Sequence, residues 1–269
     1  MTIARQLATS VLLLALSAPT LAAEAPWSSF DAATIEKIGR ELFEQDRRVA
    51  IASELVHDNY DVEAEHIVGY VTEGDPKHFT VRYLRPAGES LAAVVDAVFE
   101  DLLLPALVPP AKPEISHREM AQANARRLAA EDLSTRCDGR YNTLAVADPS
   151  GAGLLVYGIA ASTNPDQLMV GGHMRYRFSA DGTQIRATEP LSTSCATTSR
   201  EALGAAADSN GTKGLGVRNT LSKTPLESHV LMSLLYDVPL FVVTSDLKMW
   251  KVANGKMTVV RNEPGEAAK

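Results

Sequence analysis

A glutamate and a histidine stand two residues apart near the end of the chain, in the stretch TPLESHVLMSLL. Glu227 and His229 supply a carboxylate and an imidazole, groups that serve often in acid/base catalysis and metal binding. His173, in an earlier segment, would complete a set of three ligands, which suffices for catalytic zinc with one open position. These three residues form our candidate catalytic and metal-binding group. The alternative that we favour is structural: each histidine lies at the surface or at a strand edge and makes ordinary hydrogen bonds.

A second group could bind an anion. His173, Arg175 and Arg177 alternate with Met174, Tyr176 and Phe178, so in a strand the three basic side chains share one face. Arg175 and Arg177 could there hold a carboxylate or a phosphate. We favour the alternative of a solvated sheet face whose charge is balanced by nearby acidic residues.

The sequence lacks the motifs of well-known hydrolases. It contains no HExxH or HxH pair for zinc and no GxSxG nucleophile elbow. Ser245 and Lys248 match the SxxK spacing of penicillin-recognising enzymes, but that chemistry needs both residues on one helical turn, and they fall between strand-like runs. The glycine-rich GTKGLG (211–216) lacks the Lys-Ser/Thr of a phosphate-binding loop and is predicted to be a flexible loop. No motif therefore identifies an enzyme, and we expect no cofactor.

The N-terminus predicts export. Residues 1–22 carry one early positive charge at Arg5, a short apolar stretch and small residues at the end, which is typical of a signal peptide cleaved after Ala22 or Ala23. The apolar stretch is too short to span a bilayer, which takes about 20 residues. We therefore predict a periplasmic or secreted protein without a membrane span after cleavage; the alternative is an uncleaved membrane anchor.

The remaining residues, 23–269, suit one exported domain with a sizeable core. The formal net charge is −7 for the full chain and −8 once Arg5 leaves with the signal peptide. Such a mildly acidic chain with dispersed lysines and arginines argues against nucleic acid and against an anionic membrane surface as partners.

The chain has two cysteines, Cys137 and Cys195, and both lie in the exported part. In an oxidising compartment an isolated pair of this kind is expected to form a disulfide. The chain-entropy model assigns such a bridge about 4 kcal/mol of stabilisation. A redox pair is disfavoured because the CxxC spacing is missing.

Helices and a hairpin are predicted in the first half. Asp31 is a plausible N-cap for a long amphipathic helix over about residues 32–57. Two β-rich runs, EHIVGYV and HFTVRYL, flank the turn-forming TEGDPK and predict a hairpin. From Ser90 to Leu103 the apolar residues fall at helical spacing, which predicts a second helix.

Further along the chain, the proline-rich stretch 105–113 cannot be a helix or a central strand and marks a potential internal boundary. Ser116 and Glu119 form a capping-box pattern for a third helix that ends near Leu133.

Strands are predicted in the second half. NTLAVAD and the apolar LLVYGIA indicate sheet strands, and Asp181-Gly182 indicates a tight hairpin turn. Residues 192–223 are predicted to be a long surface loop with at most a short helix near residues 200–207. HVLMSLL, PLFVVT, KMWKV and MTVV predict an antiparallel meander. In such a strand, Glu227 and His229 would share a face at about 7 Å.

Several stretches resemble parts of a group of uncharacterised exported proteobacterial proteins. They are GRELFEQD, VYGIA followed by GGHMRYRFSADG, and PLESHVLMSLLYDVPLFVVTS with KMWKV. The resemblance implies a single exported α+β unit and brings no active site with it.

Together these patterns predict an α+β fold, with N-terminal helices and a β-hairpin followed by a mainly antiparallel sheet. The function that we expect is that of a non-enzymatic envelope or binding protein with an envelope or extracellular partner. The alternative is an exported hydrolase with a site assembled from His173, Glu227 and His229.

Overall fold

The computed structural model describes residues 29–100, 104–137, 140–151, 153–203, 206–207 and 211–260. The predicted signal peptide lies outside these ranges. Within them the chain forms helices and mainly antiparallel sheets, as the α+β prediction stated. The α-helices are α1 Ala32–Asn59, α2 His117–Leu133 and α3 Glu227–Leu235, and a short 3-10 helix covers Arg200–Ala202. None of the described helices is long and apolar enough to cross a membrane.

The first sheet is antiparallel and has the strand order β1-β2-β3-β4. Its strands are β1 Gly69–Gly74, β2 His78–Ala87, β3 Ser90–Glu100 and β4 Ala106–Val108. The predicted hairpin is confirmed as β1 and β2. Gly74 closes it at a φ of +115°, where a side chain would collide with the carbonyl oxygen of His78. The proline-rich stretch contributes the short edge strand β4, which suits its lack of N–H donors.

The helix predicted from Ser90 to Leu103 is wrong over residues 90–100, which form β3, and residues 101–103 lie outside the described ranges. Ala93, Val95, Ala97 and Phe99 are buried at every second position, which is the period of a strand. The two small alanines concealed this alternation among valines that also fit a helical spacing. β-Branched residues favour a strand once a neighbouring strand is available for pairing.

The second sheet has the order β5-β6-β8-β9 and is covered on both faces. Its strands are β5 Tyr141–Ala147, β6 Leu154–Ala160, β8 Met174–Phe178 and β9 Ile185–Pro190. Helix α2 packs on one face through Ala125, Ala129 and Leu133. Helices α1 and α3 cover the other face, where Ile38, Leu42 and Leu231 meet the sheet. LLVYGIA is therefore a central strand, as predicted.

The third sheet combines a short parallel pair with an antiparallel meander. Its strands are β11 Ala206–Ala207, β12 Lys213–Arg218, β13 Leu240–Val243, β14 Met249–Ala253 and β15 Lys256–Val259. Strands β12 and β13 are parallel, and β13 to β15 form the predicted meander. The short strands β7 Gln167–Met169 and β10 Thr197–Ser199 pair separately.

Two predictions in this region are wrong. The stretch HVLMSLL belongs to α3 rather than to a strand, and GTKGLG contributes to β12 rather than to a flexible loop. Residues 192–223 accordingly hold β10, the 3-10 helix, β11 and β12. The physical reason is the parallel pairing of β12 with β13, which requires a crossover connection. Helix α3 makes that crossover, and it is buried all round, so no amphipathic period reveals it.

Helix α1 joins the three sheets. Asp31 caps it by accepting a hydrogen bond of 2.7 Å from the Thr34 N–H, as predicted. Ile35 packs in the core of the third sheet, Leu42 in that of the second, and Val49 in that of the first. The capping box of α2 and the Asp181-Gly182 hairpin are also confirmed.

Candidate functional site

The basic residues on β8 are buried and paired with acids. Arg175 has no exposed surface, and its guanidinium donates to Glu189 at 2.6 Å on β9 and to Glu227 at 2.7 Å on α3. Burial disfavours the charged guanidinium, but the two carboxylates outweigh this effect and raise the pKa of Arg175. Glu227 therefore holds α3 against the sheet through a buried ion pair.

Arg177 extends the same cluster towards solvent. It donates to Asp148 at 2.7 Å and lies 3.3 Å from Glu189, while Phe30 covers both arginines with its ring at 4.9 and 5.1 Å. Burial raises the pKa of Asp148, but its hydrogen bonds with Ser150 and its pairing with Arg177 outweigh this and lower it. The predicted shared face exists, but Arg175 lies under α1 and α3 rather than in water. Its acidic partners already occupy the role that an anionic ligand would take.

His173 and His229 are buried and close enough for the charge of one to affect the other. The Nδ1 of His173 accepts the N–H of Ala160 at 3.1 Å, and the Nδ1 of His229 accepts the N–H of Leu226 at 2.8 Å. A neutral ring whose Nδ1 accepts carries its proton on Nε2. Neither ring therefore keeps a free lone pair for a metal ion in this arrangement.

The change from strand to helix also separates Glu227 from His229, which a strand would place on one face. Residues two apart on a helix point to different sides, so Glu227 meets Arg175 while His229 caps the start of its own helix. Within the described ranges, no cluster of three or more His, Cys, Asp or Glu side chains is arranged to hold a metal ion. Glu227, His229 and His173 thus lie near one another but act with other partners.

Burial sets the protonation of both rings. It lowers the pKa of His173 to about 4. Burial, with the nearby His173 as a second cause, lowers the pKa of His229 to about 3. Both histidines are neutral at physiological pH, which fits structural hydrogen bonding. The other predicted pair, Cys137 and Cys195, forms a disulfide with a Cα separation of 5.6 Å.

A cavity of about 630 Å³ lies elsewhere, between the first and second sheets. Its walls come from α1, from residues 72–76 of the first hairpin, and from residues 145–147 of β5, with Arg118 and Gln122 of α2 at one side. Apolar groups such as Phe43, Phe79 and Leu154 line the interior. This volume suits a small ligand or a short peptide.

We call the gap between the edge strands β1 and β5 the seam. The cavity begins where side chains no longer close this seam. Strands β1 and β5 each lie at the edge of their sheet. Side chains from the helices close the first part of the seam. Gln122 accepts from the Thr72 N–H at 2.6 Å and donates to the Thr72 carbonyl at 3.1 Å. Arg126 donates to the carbonyls of Tyr70 and Thr143, and so joins the two edges.

Gln45 of α1 marks the boundary between the closed seam and the cavity. Its Nε2 donates to the Thr72 hydroxyl at 2.6 Å and to the Ala145 carbonyl at 3.1 Å. Gln45 is only 6% exposed, and its Oε1 is buried and has no hydrogen-bond partner among the described residues. Such an orphaned acceptor carries a free-energy cost.

Charged side chains surround the cavity. Arg48 is held by the carbonyls of Asp75 and Pro76 and lies over the ring of Phe79 at 5.0 Å. The cavity-lining residues of α1 and of the first hairpin were predicted only as parts of a helix and of strands. The polar Gln45 within the apolar stripe of α1 was the available signal.

Comparison with protein-family models, with curated proteins and with solved structures found no match.

Proposed function

We propose that the protein is an exported, non-enzymatic binding protein of the periplasm or the extracellular medium, and that the cavity between β1 and β5 is its ligand site. The observation that carries this proposal is the cavity itself, whose lining combines apolar side chains with charged ones and with Gln45. Pockets that combine apolar lining with a few placed polar groups are typical of ligand sites.

The state of the first candidate group supports binding over hydrolysis. The Oε1 of Glu227 is engaged by Arg175, and both histidine rings accept main-chain N–H groups through Nδ1, so neither ring has a lone pair free to activate water. Catalysis by these residues would need the buried cluster to open.

Binding of Nile red, a neutral dye that becomes fluorescent in apolar sites, tests the proposed cavity. Ala147 lies at the cavity wall and is exposed, so Ala147→Phe should narrow the site without disturbing the core. We expect it to reduce dye binding at least tenfold. Ala106→Phe, at an exposed position of the edge strand β4, is the matched control and should bind like the native protein. Equal dye binding by both variants would contradict the proposal that the cavity is the ligand site.

Export is supported by the signal-like N-terminus, by the resemblance to exported proteobacterial proteins and by the disulfide. Mass spectrometry of the protein from a bacterial periplasm or culture medium should find a chain that starts at Ala23 or Glu24. A chain that retains Met1 would contradict export by signal cleavage.

A further inference from the structure

We infer that the cavity takes an extended, uncharged peptide segment of another protein, which adds a strand to the outer edge of β5. This inference rests on the proposed function and names its ligand class. An added strand uses main-chain hydrogen bonds for affinity and leaves side-chain recognition to pockets along the groove.

The outer edge of β5 has main-chain groups available at the cavity. In an antiparallel pair, alternate residues direct their N–H and C=O groups towards the partner strand and away from it. The N–H of Asp148 donates to the Gly153 carbonyl across the β5-β6 pair, so Asp148 faces β6. By alternation, the N–H and C=O groups of Ala147 and Ala145 point outward, away from β6. The Ala145 carbonyl accepts from Gln45, as this direction requires. No described residue hydrogen-bonds to the outward groups of Ala147, which line the cavity.

The closed part of the seam shows what chemistry these edges accept. The carboxamide of Gln122 makes two hydrogen bonds with the N–H and C=O of Thr72, which replaces the two that one residue of a neighbouring strand would make. Gln45 presents a second carboxamide to Ala145. Next to the cavity, side-chain amides thus make the hydrogen bonds that a neighbouring strand would make. A peptide in the cavity would make the same kind of hydrogen bonds with the next main-chain groups.

Charge and length favour an uncharged segment from another chain. The cavity is lined by four basic and four acidic side chains, and therefore favours neither a positively nor a negatively charged ligand. The basic residues are Lys37, Arg40, Arg48 and Arg118, and the acidic residues are Glu41, Glu44, Glu73 and Asp75. Residues 145–147 face about three residues of an added strand at about 3.3 Å per residue. The chain's own residues 261–269, RNEPGEAAK, lie outside the described ranges and are rich in charge. They match an apolar interior poorly.

The experiment uses the mature protein and a capped peptide, acetyl-Thr-Val-Thr-Val-Thr-amide, with amide hydrogen exchange followed by NMR. We expect the peptide to slow exchange of the Ala147 N–H at least tenfold. The same peptide N-methylated at alternate residues, which removes donors on one edge, should bind at least tenfold more weakly. Ala147→Phe should abolish the protection and Ala106→Phe should leave it intact.

Three outcomes would overturn the inference. Equal binding of the plain and N-methylated peptides would exclude strand pairing. Protection confined to another sheet edge would place the peptide elsewhere. Peptide binding that becomes at least tenfold tighter after truncation behind Val260 would identify the chain's own tail as the occupant. If Nile red binds in the cavity while the peptide does not, the proposed function stands and only the peptide inference fails. If neither Nile red nor the peptide binds, both the proposed function and the peptide inference fail.

Discussion

Arg175 on β8 and Glu227 on α3 form an ion pair of 2.7 Å although neither side chain is exposed. Removing one partner of such a pair leaves a buried charge without compensation, which typically costs about 3–5 kcal/mol. Glu227→Gln keeps the size of the side chain and removes its charge. We expect it to lower the free energy of unfolding, measured by urea denaturation, by about that amount.

The exposed pair Arg85 and Glu65, at 3.4 Å, offers a matched control. Glu65→Gln should change stability by less than about 1 kcal/mol, because solvent screens the pair. A loss below 1 kcal/mol for Glu227→Gln would mean that Glu189 alone satisfies Arg175.

The buried histidines should make stability depend on pH. Their pKa values are lowered in the folded protein, so the unfolded chain binds protons that the folded chain does not as the pH falls below about 6.5. Their contribution is present above this pH and is lost towards pH 4. We expect the unfolding free energy to fall by about 1.4 kcal/mol per pH unit for each histidine in this range.

The measurement is urea denaturation between pH 7 and pH 5, above the range where most carboxylates titrate. The double variant His173→Gln/His229→Gln should flatten the slope, since glutamine can accept the same main-chain N–H groups without titrating here. His57→Gln, at an exposed position, should leave the slope unchanged. A slope that survives in the double variant would assign the pH dependence to other groups.

The disulfide Cys137–Cys195 joins residues 58 positions apart. The double variant Cys137→Ser/Cys195→Ser should lose about 4 kcal/mol of unfolding free energy, because the unfolded chain regains the entropy that the bridge removes. A reductant should destabilise the native protein by a similar amount and leave the variant unchanged. Sensitivity of the variant to the reductant would show that the bridge is not the cause.

Gly39 of α1 allows the close approach of α3. A β-carbon at this position would overlap the side chain of Val230 and approach the Glu227 carbonyl to 3.0 Å. Gly39→Ala should therefore destabilise the protein by about 1–3 kcal/mol. This direction is opposite to the helix propensity of alanine, which would favour the variant by about 1 kcal/mol.

Thermal and urea denaturation would measure the effect. Gly69→Ala is the control, since nothing lies within 4 Å of the added carbon there. Adding Val230→Ala to Gly39→Ala should recover part of the loss. A stabilised Gly39→Ala protein would show that the two helices separate without cost.

Much of the fold followed from local patterns in the sequence. The spacing of Ile35, Ile38 and Leu42, with Asp31 before them, predicted α1, and Ser116 with Glu119 predicted the start of α2. These features are local because helix caps and amphipathic faces depend on residues three or four positions apart. Two short apolar runs were predicted wrongly. The valines of β3 also fit a helical spacing, and α3 is buried nearly all round, so periodicity does not separate strand from helix there.

The long helix, the hairpins and the cysteine pair could be predicted from the order of the residues, because each depends on neighbouring residues or on the count of one residue type. The contact of Glu227 with Arg175, and the closure of the seam between β1 and β5 by Gln45, Gln122 and Arg126, became visible only in the folded chain. These contacts join residues far apart in the chain, and they follow from how helices and sheet edges pack. The cavity arises where that closure stops, so no single stretch of sequence contains it.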